Sequence, residues 1–142
     1  MLITFEGIDN SGKSTQACRL REFLSSKGHA PLMVKEPGGT EVSEEIRALL
    51  LRKDLEICPT AEVLLFSASR AQLIEEKIRP ALASGRIVIC DRFYDSTIAY
   101  QMAGREMKDC RLVKTLQENI TGDLTPDKTF LLDIDPKTAR SR

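Results

Sequence analysis

Gly7-Ile8-Asp9-Asn10-Ser11-Gly12-Lys13-Ser14 fits the spacing Gly-x-x-x-x-Gly-Lys-Ser/Thr, whose chemistry is the cradling of phosphate oxygens. Gly7 and Gly12 allow backbone angles and close approaches that a Cβ blocks. Successive backbone N–H groups can then turn inward as an anion nest. A helix starting near Lys13 adds the positive end of its dipole. Lys13 is set to reach the β- and γ-phosphate oxygens of a nucleoside triphosphate, and the Ser14 hydroxyl to hold Mg²⁺. The apolar run Leu2-Ile3-Thr4-Phe5 before the motif and the helical pattern after it supply the context that the motif needs.

Further residues could work beside this loop. Asp91 closes the apolar run Arg86-Ile87-Val88-Ile89-Cys90-Asp91. Carboxylates there lie at the sheet edge where ligands collect, and can hold Mg²⁺ directly or through water. Arg92 follows at once, and its planar guanidinium suits a two-point grip on phosphate. Glu36-Pro37-Gly38-Gly39-Thr40 ends a second strand on the same edge, with Glu36 facing the site; an ordinary turn has the same composition. Arg47 lies on the helix that follows. Phe66 and Arg70, four apart, share a helix face, where a ring can stack on a base while the guanidinium bonds its edge. The same pair also fits a core phenylalanine beside a solvated arginine. Ser96 or Thr97 could cap a helix or bond a base, Tyr100 adds an aromatic wall, and Gln101 carries a donor and an acceptor.

The elements that must position these residues can be read in order. Strands are expected over 2–6, 30–35, 86–91 and 128–133. Helices are expected over 13–27 with Gly28 as the stop, over 41–52 with Ile46, Leu49 and Leu50 on one face, and from about Thr60 to Ala83 with a break at Arg79-Pro80. Others follow over 95–103, 109–121 and from Pro136. Alternating strands and helices, with a continuous apolar strand ending in Asp91, predict an α/β fold with a parallel, doubly wound sheet.

The 142 residues suffice for one domain, with 42% hydrophobic and 30% charged residues. Lys plus Arg and Asp plus Glu balance at 21 each, so net charge argues for neither nucleic acid nor an anionic membrane as partner. No apolar run approaches the roughly 18 residues that span a bilayer. No signal peptide is evident. Cys18, Cys58, Cys90 and Cys110 form no Cys-x-x-Cys pair, which argues against zinc or a disulfide framework and for a reducing cytoplasm. His29, the single histidine, reads as a solvated loop residue.

Together these segments resemble thymidylate kinase of the bacterial and archaeal type. The resemblance rests on Phe5 to Thr15, Lys35-Glu36-Pro37-Gly38-Gly39-Thr40, Glu45-Ile46-Arg47, Leu65-Phe66-Ser67-Ala68-Ser69-Arg70, Asp91 to Gln101 and Pro126-Asp127, in family order across nearly the whole chain. It implies a nucleoside monophosphate kinase-like phosphate-loop fold that transfers the γ-phosphoryl group of ATP to dTMP with Mg²⁺, in a homodimer. It implies that residues 7–15 (Gly7, Ile8, Asp9, Asn10, Ser11, Gly12, Lys13, Ser14 and Thr15) serve ATP, with Ser14 and Asp91 at the metal. Asp9 would bond the dTMP sugar. Phe66 would stack on thymine, and Arg70 and Gln101 would bond its edge, with Ser96 or Thr97 nearby. Arg47 and Arg92 would hold the acceptor phosphate, and Tyr100 would crowd the sugar C2′. Glu36 and Asp91, with Lys13 and Arg92, would arrange the metal waters and the transferring group.

The chain also departs from the pattern. Asn10 stands where eukaryotic-type members carry a catalytic arginine, and members without it supply one from a lid. That lid is expected just after Arg142, so residues 1–142 read as a single kinase domain lacking its C-terminal part and impaired in turnover. Phe93 replaces a commoner Tyr or His. The rival readings are another pyrimidine nucleoside monophosphate kinase, a fragment that binds nucleotide without turnover, and a nucleotide switch. The last predicts an Asn-Lys-x-Asp motif, which does not occur.

Overall fold

Four parallel strands form the centre of the computed structural model, which describes residues 1–100 and 110–142. In chain order they are β1 (Leu2–Glu6), β2 (Leu32–Lys35), β3 (Val88–Asp91) and β4 (Lys128–Leu131). Their spatial order is β2-β3-β1-β4. Ile3 pairs with Ile89 and Lys128, and Met33 with Ile89, so the carboxyl ends of all four strands share one edge. The sheet runs outward in both directions from β1, the doubly wound arrangement that alternation predicted. Ligand crevices in such sheets open outside the carboxyl ends.

Strand period explains the two cores. Leu2 of β1 and Val88 and Cys90 of β3 face a layer containing Leu73, Ile74, Ile78 and Leu124. Ile3, Phe5 and Ile89 face the other way, onto Ala17, Leu20 and Leu24 of α1 (Lys13–Ser26). Both faces of β1 and β3 are therefore buried, which is why their sequences read as unbroken apolar runs. Alternation also sends Asp91, on the Ile89 face, toward α1, and Glu6, on the Leu2 face, toward the opposite layer.

The helices are α1, α2 (Glu41–Leu50), α3 (Pro59–Leu73), α4 (Arg79–Ala83), α5 (Tyr94–Thr97), α6 (Cys110–Thr121) and α7 (Pro136–Arg140). Gly28 follows the end of α1 at φ 85°, the stop that its sequence position predicted. Several expectations need correction. The helix expected from about Thr60 starts at Pro59, after Cys58, with the proline in its first turn, where a missing N–H costs nothing, and Thr60 does not cap it. No break occurs at Arg79-Pro80. A wide turn over Ile74–Ile78 carries the helix through, with the Arg79 N–H reaching back to the Ile74 carbonyl. Such a turn accommodates the N–H that Pro80 lacks. On α2 the buried residue is Ser43, while Leu49 is exposed. Neither Ser96 nor Thr97 caps α5. Among the described residues no helix is long and apolar enough to cross a membrane.

Candidate active site

The loop between β1 and α1 has the backbone that its glycines predict. Gly7 stands at φ 141° and Gly12 at φ 95°, both in the region that favours glycine. At Gly7 an added Cβ would meet the Leu132 carbonyl oxygen at 2.7 Å. Gly12 is the residue before α1, and no side chain caps that helix, which leaves its first N–H groups available to an anion. Asn10 takes φ 59°, which asparagine tolerates, and its amide donates to the Ala139 carbonyl at 3.1 Å. It thus ties the loop to α7 rather than projecting a cation.

Lys13 is buried, and its ammonium donates to the Ile8 carbonyl at 2.5 Å and to Ser11 Oγ at 3.4 Å. Burial and the nearby Arg92 cation push its pKa below the ordinary lysine value of 10.5, against Asp91, Asp9 and Glu6. Ser14 Oγ donates to Asp91 Oδ2. Asp91 ends β3 and is 1% exposed. Two hard oxygens from two elements thus meet at the mouth of the nest, a donor set suited to Mg²⁺, which takes few protein ligands and keeps water and phosphate for the rest.

Arg92 bridges the loop to the next wall. Its Nη1 donates to the Gly7 carbonyl at 3.2 Å and to Ser96 Oγ at 3.0 Å. Its Nη2 donates to Asp9 Oδ1 at 2.6 Å and to the Tyr100 hydroxyl at 3.4 Å, and its guanidinium lies 5.2 Å from the Tyr100 ring centre.

Arg70 is 2% exposed, and each of its three guanidinium nitrogens donates to a neighbour. Its Nε donates to Glu36 Oε2 at 2.7 Å, Nη1 to Gln117 Oε1 at 2.7 Å, and Nη2 to Thr97 Oγ1 at 2.7 Å and to the Phe93 carbonyl at 3.2 Å. The picture of a solvated arginine beside Phe66 is therefore wrong. Arg70, on α3, ties the end of β2 to α5 and α6 at the cleft wall. Glu36 is also buried, and desolvation raises its carboxyl pKa above 4.5 against the pull of Arg70. Among the described residues, Glu36 Oε1 and Gln117 Nε2 are buried polar atoms with no hydrogen-bond partner.

The Glu36–Thr40 segment is held as more than a turn. The Glu36–Pro37 peptide is cis, the Gly38 N–H donates to Ser69 Oγ at 3.2 Å, and the Ser43 hydroxyl donates to the Ser69 carbonyl at 2.8 Å. Thr40 caps α2 by accepting from the Ser43 N–H at 3.1 Å. Arg47 Nη1 donates to the Pro37 carbonyl at 2.8 Å, which aims it along the same edge.

One cleft of about 830 Å³ collects these groups. Asp9, Asn10, Gly12, Lys13, Ser14, Thr15, Asp91 and Arg92 line one part, and Glu36, Arg47, Phe66, Arg70, Ser96, Thr97 and Tyr100 another. Gln101 lies outside the described residues. The Ser96 hydroxyl donates to Glu6 Oε2 at 2.5 Å, and Thr97 is 3% exposed beneath Arg70, so both are engaged as struts of the wall. Sequence reasoning missed Glu6, Gln117 and Arg142, the last of which also lines the cleft. Only the place of Glu6 at the strand end hinted at a role. Pro126-Asp127, matched without a role, supplies Asp127 Oδ2 as acceptor for the Leu2 N–H at 2.6 Å, anchoring the start of β1.

Comparison with known proteins bears on this cleft. The family model for thymidylate kinase matches residues 5–142. A thymidylate kinase of Chlorobium luteolum is 56% identical over all of this chain and 66% of its own length. That of Pelodictyon phaeoclathratiforme is 52% identical over all of this chain and 65% of its own length. A crystal structure of thymidylate kinase from Ehrlichia chaffeensis superposes with a TM-score of 0.88 at 42% identity, covering 99% of this chain and 80% of that one. The chain thus spans about two thirds of the length of these curated relatives (66% and 65%). It belongs to the thymidylate kinase family.

Proposed function

We propose that this protein transfers the γ-phosphoryl group of ATP to dTMP, giving ADP and dTDP. The observation that carries the reading is one cleft with a phosphate loop along one part, Phe66, Arg70, Thr97 and Tyr100 along another, and Arg92 hydrogen-bonded to both. Phosphoryl transfer asks little covalent help of a protein. It needs the two oxygens in line and cations around the spread charge.

In this reading the N–H groups of residues 7–15 and the Lys13 ammonium receive the ATP phosphates, leaving Ile8 and Ser11 as Lys13 turns outward. Ser14 and Asp91 would hold Mg²⁺, which would supply positive charge to offset that of the phosphates. Arg92 and Arg47 grip the acceptor phosphate. Asp9 spends one oxygen on Arg92 and turns the other to the sugar. Phe66 stacks on thymine, Tyr100 crowds the sugar C2′, and Gln101 reads the base edge with Arg70. Arg70 brings its orientation ready-made, because its carboxylate, amide and hydroxyl partners fix the guanidinium plane. A homodimer belongs to the same reading; Val42 of α2 and Leu64 of α3 are exposed apolar side chains that a partner could cover. So does a cytoplasmic site of action, in keeping with the free thiols of Cys18, Cys58 and Cys90.

The test follows the label rather than the rate. With γ-³²P-labelled ATP, Mg²⁺ and a mixture of dTMP, dCMP and AMP, label is expected in dTDP. Label in dCDP or ADP alone would replace dTMP as the acceptor. Label released only as inorganic phosphate would leave a nucleotide hydrolase.

A further inference from the structure

Glu6 is the last residue of β1 and stands directly before the phosphate loop. Its side chain is buried, and both carboxylate oxygens are used. One accepts the Phe93 N–H at 2.7 Å, and the other accepts the Ser96 hydroxyl at 2.5 Å. In the chain both partners closely follow Arg92, whose φ of 73° lies in a region that long side chains seldom enter. Such a conformation persists only where neighbours over-determine it. Here the Arg92 N–H is held by the Phe5 carbonyl at 3.0 Å, and the next N–H, that of Phe93, is held by Glu6. The end of β1 thus grips the turn on both sides of the strained residue.

The second oxygen acts on the guanidinium. Ser96 has one hydroxyl proton, and Glu6 takes it. The Ser96 lone pairs are then left for Arg92 Nη1, which donates to them at 3.0 Å. We infer that Glu6 is a positioning residue for Arg92, holding its left-handed turn through Phe93 and its guanidinium through Ser96. The carboxylate lets both of its oxygens accept; an amide offers one acceptor, and its N–H₂ would compete with Arg92 for the Ser96 lone pairs instead of taking the hydroxyl's hydrogen bond. The inference rests on the dTMP kinase reading, in which Arg92 grips the acceptor phosphate.

Calorimetric titration of the chain with dTMP and with thymidine separates phosphate grip from base recognition. In Glu6→Gln, dTMP affinity is expected to fall about tenfold, the scale of one charge-assisted hydrogen bond, while thymidine affinity holds. Ser96→Ala, a milder change that guards against misfolding of the first variant, is expected to lower dTMP affinity about threefold, again without touching thymidine. In an Arg92→Ala background Glu6→Gln should cause no further loss of dTMP affinity. An unchanged dTMP-to-thymidine ratio in Glu6→Gln, or in Ser96→Ala if the first does not fold, would overturn the inference. So would an equal drop with Arg92 absent, which would mark Glu6 as merely structural. A wild-type chain with no preference for dTMP over thymidine would instead remove the acceptor reading, and this inference with it.

Discussion

Glu6, directly before the phosphate loop, and Glu36, directly after β2, are buried carboxyls, and burial raises the pKa of both. For Glu6 desolvation outweighs the Ser96 and Phe93 hydrogen bonds, Asp95 adds to the rise, and Arg92 opposes it. Between the ordinary 4.5 and their raised folded values, the folded chain holds protons that the unfolded chain has released. Stability contributed by these groups therefore falls as pH rises through that window. Asp54 and Asp123, lowered by Arg52 and Arg79, act in the opposite sense near and below 3.8, but they are exposed and count for little. Denaturant titrations at successive pH values should show wild-type stability declining above pH 4.5 relative to Glu6→Gln. Parallel pH profiles for the two proteins would contradict this reading of Glu6.

The unit of β1, loop and α1 was legible in the sequence because its logic is local. Glycine spacing, a short apolar run and a following helix lie within a few residues of one another, and the structure brings Lys13, Ser14 and Asp91 to one edge as the pattern required. Gly7 also has a tertiary reason, since its missing side chain lets the loop lie against the Leu132 carbonyl beyond β4. Gly7→Ala combines this close approach with an unfavourable φ. It is expected to lose about 2 kcal/mol or more in urea denaturation, together with ATP affinity. Stability within a few tenths of wild type would show that the loop yields easily. Other elements were less legible. Pro80 suggested a break, yet whether a helix ends or widens depends on what it packs against, and Ile74 and Ile78 are fully buried. On α2 Ile46 and Leu50 are half-buried, but the fully buried residue is Ser43, whose hydroxyl donates to the Ser69 carbonyl, a distant partner that local periodicity does not announce. Roles of Gln117 and Glu6 depend on partners 47 and 90 residues away in sequence, and no local pattern announces them.

At the scale of the molecule, a parallel sheet growing both ways from β1 gathers segments far apart in the chain at one edge. Loop 7–14, the end of β2, the end of β3 and the α3 face all meet in a single cleft. Family membership and the superposition on the Ehrlichia chaffeensis thymidylate kinase agree with that architecture. The central claim is that this cleft recognises thymidine monophosphate. Arg70 is a poor probe of it, because its removal strands Glu36 as a buried unpaired charge, a change that costs about 3–5 kcal/mol by itself. Phe66 is the better probe, as it is only partly buried and lines the cleft. Stacking of a base on an aromatic ring contributes about 1–3 kcal/mol. The direct measurement is calorimetric titration of wild type and Phe66→Ala with dTMP and with AMP. The account predicts that wild type binds dTMP in preference to AMP, and that Phe66→Ala weakens dTMP by about 5- to 100-fold with its fold intact. Equal dTMP affinity in the two proteins, or a wild type that prefers AMP, would contradict it.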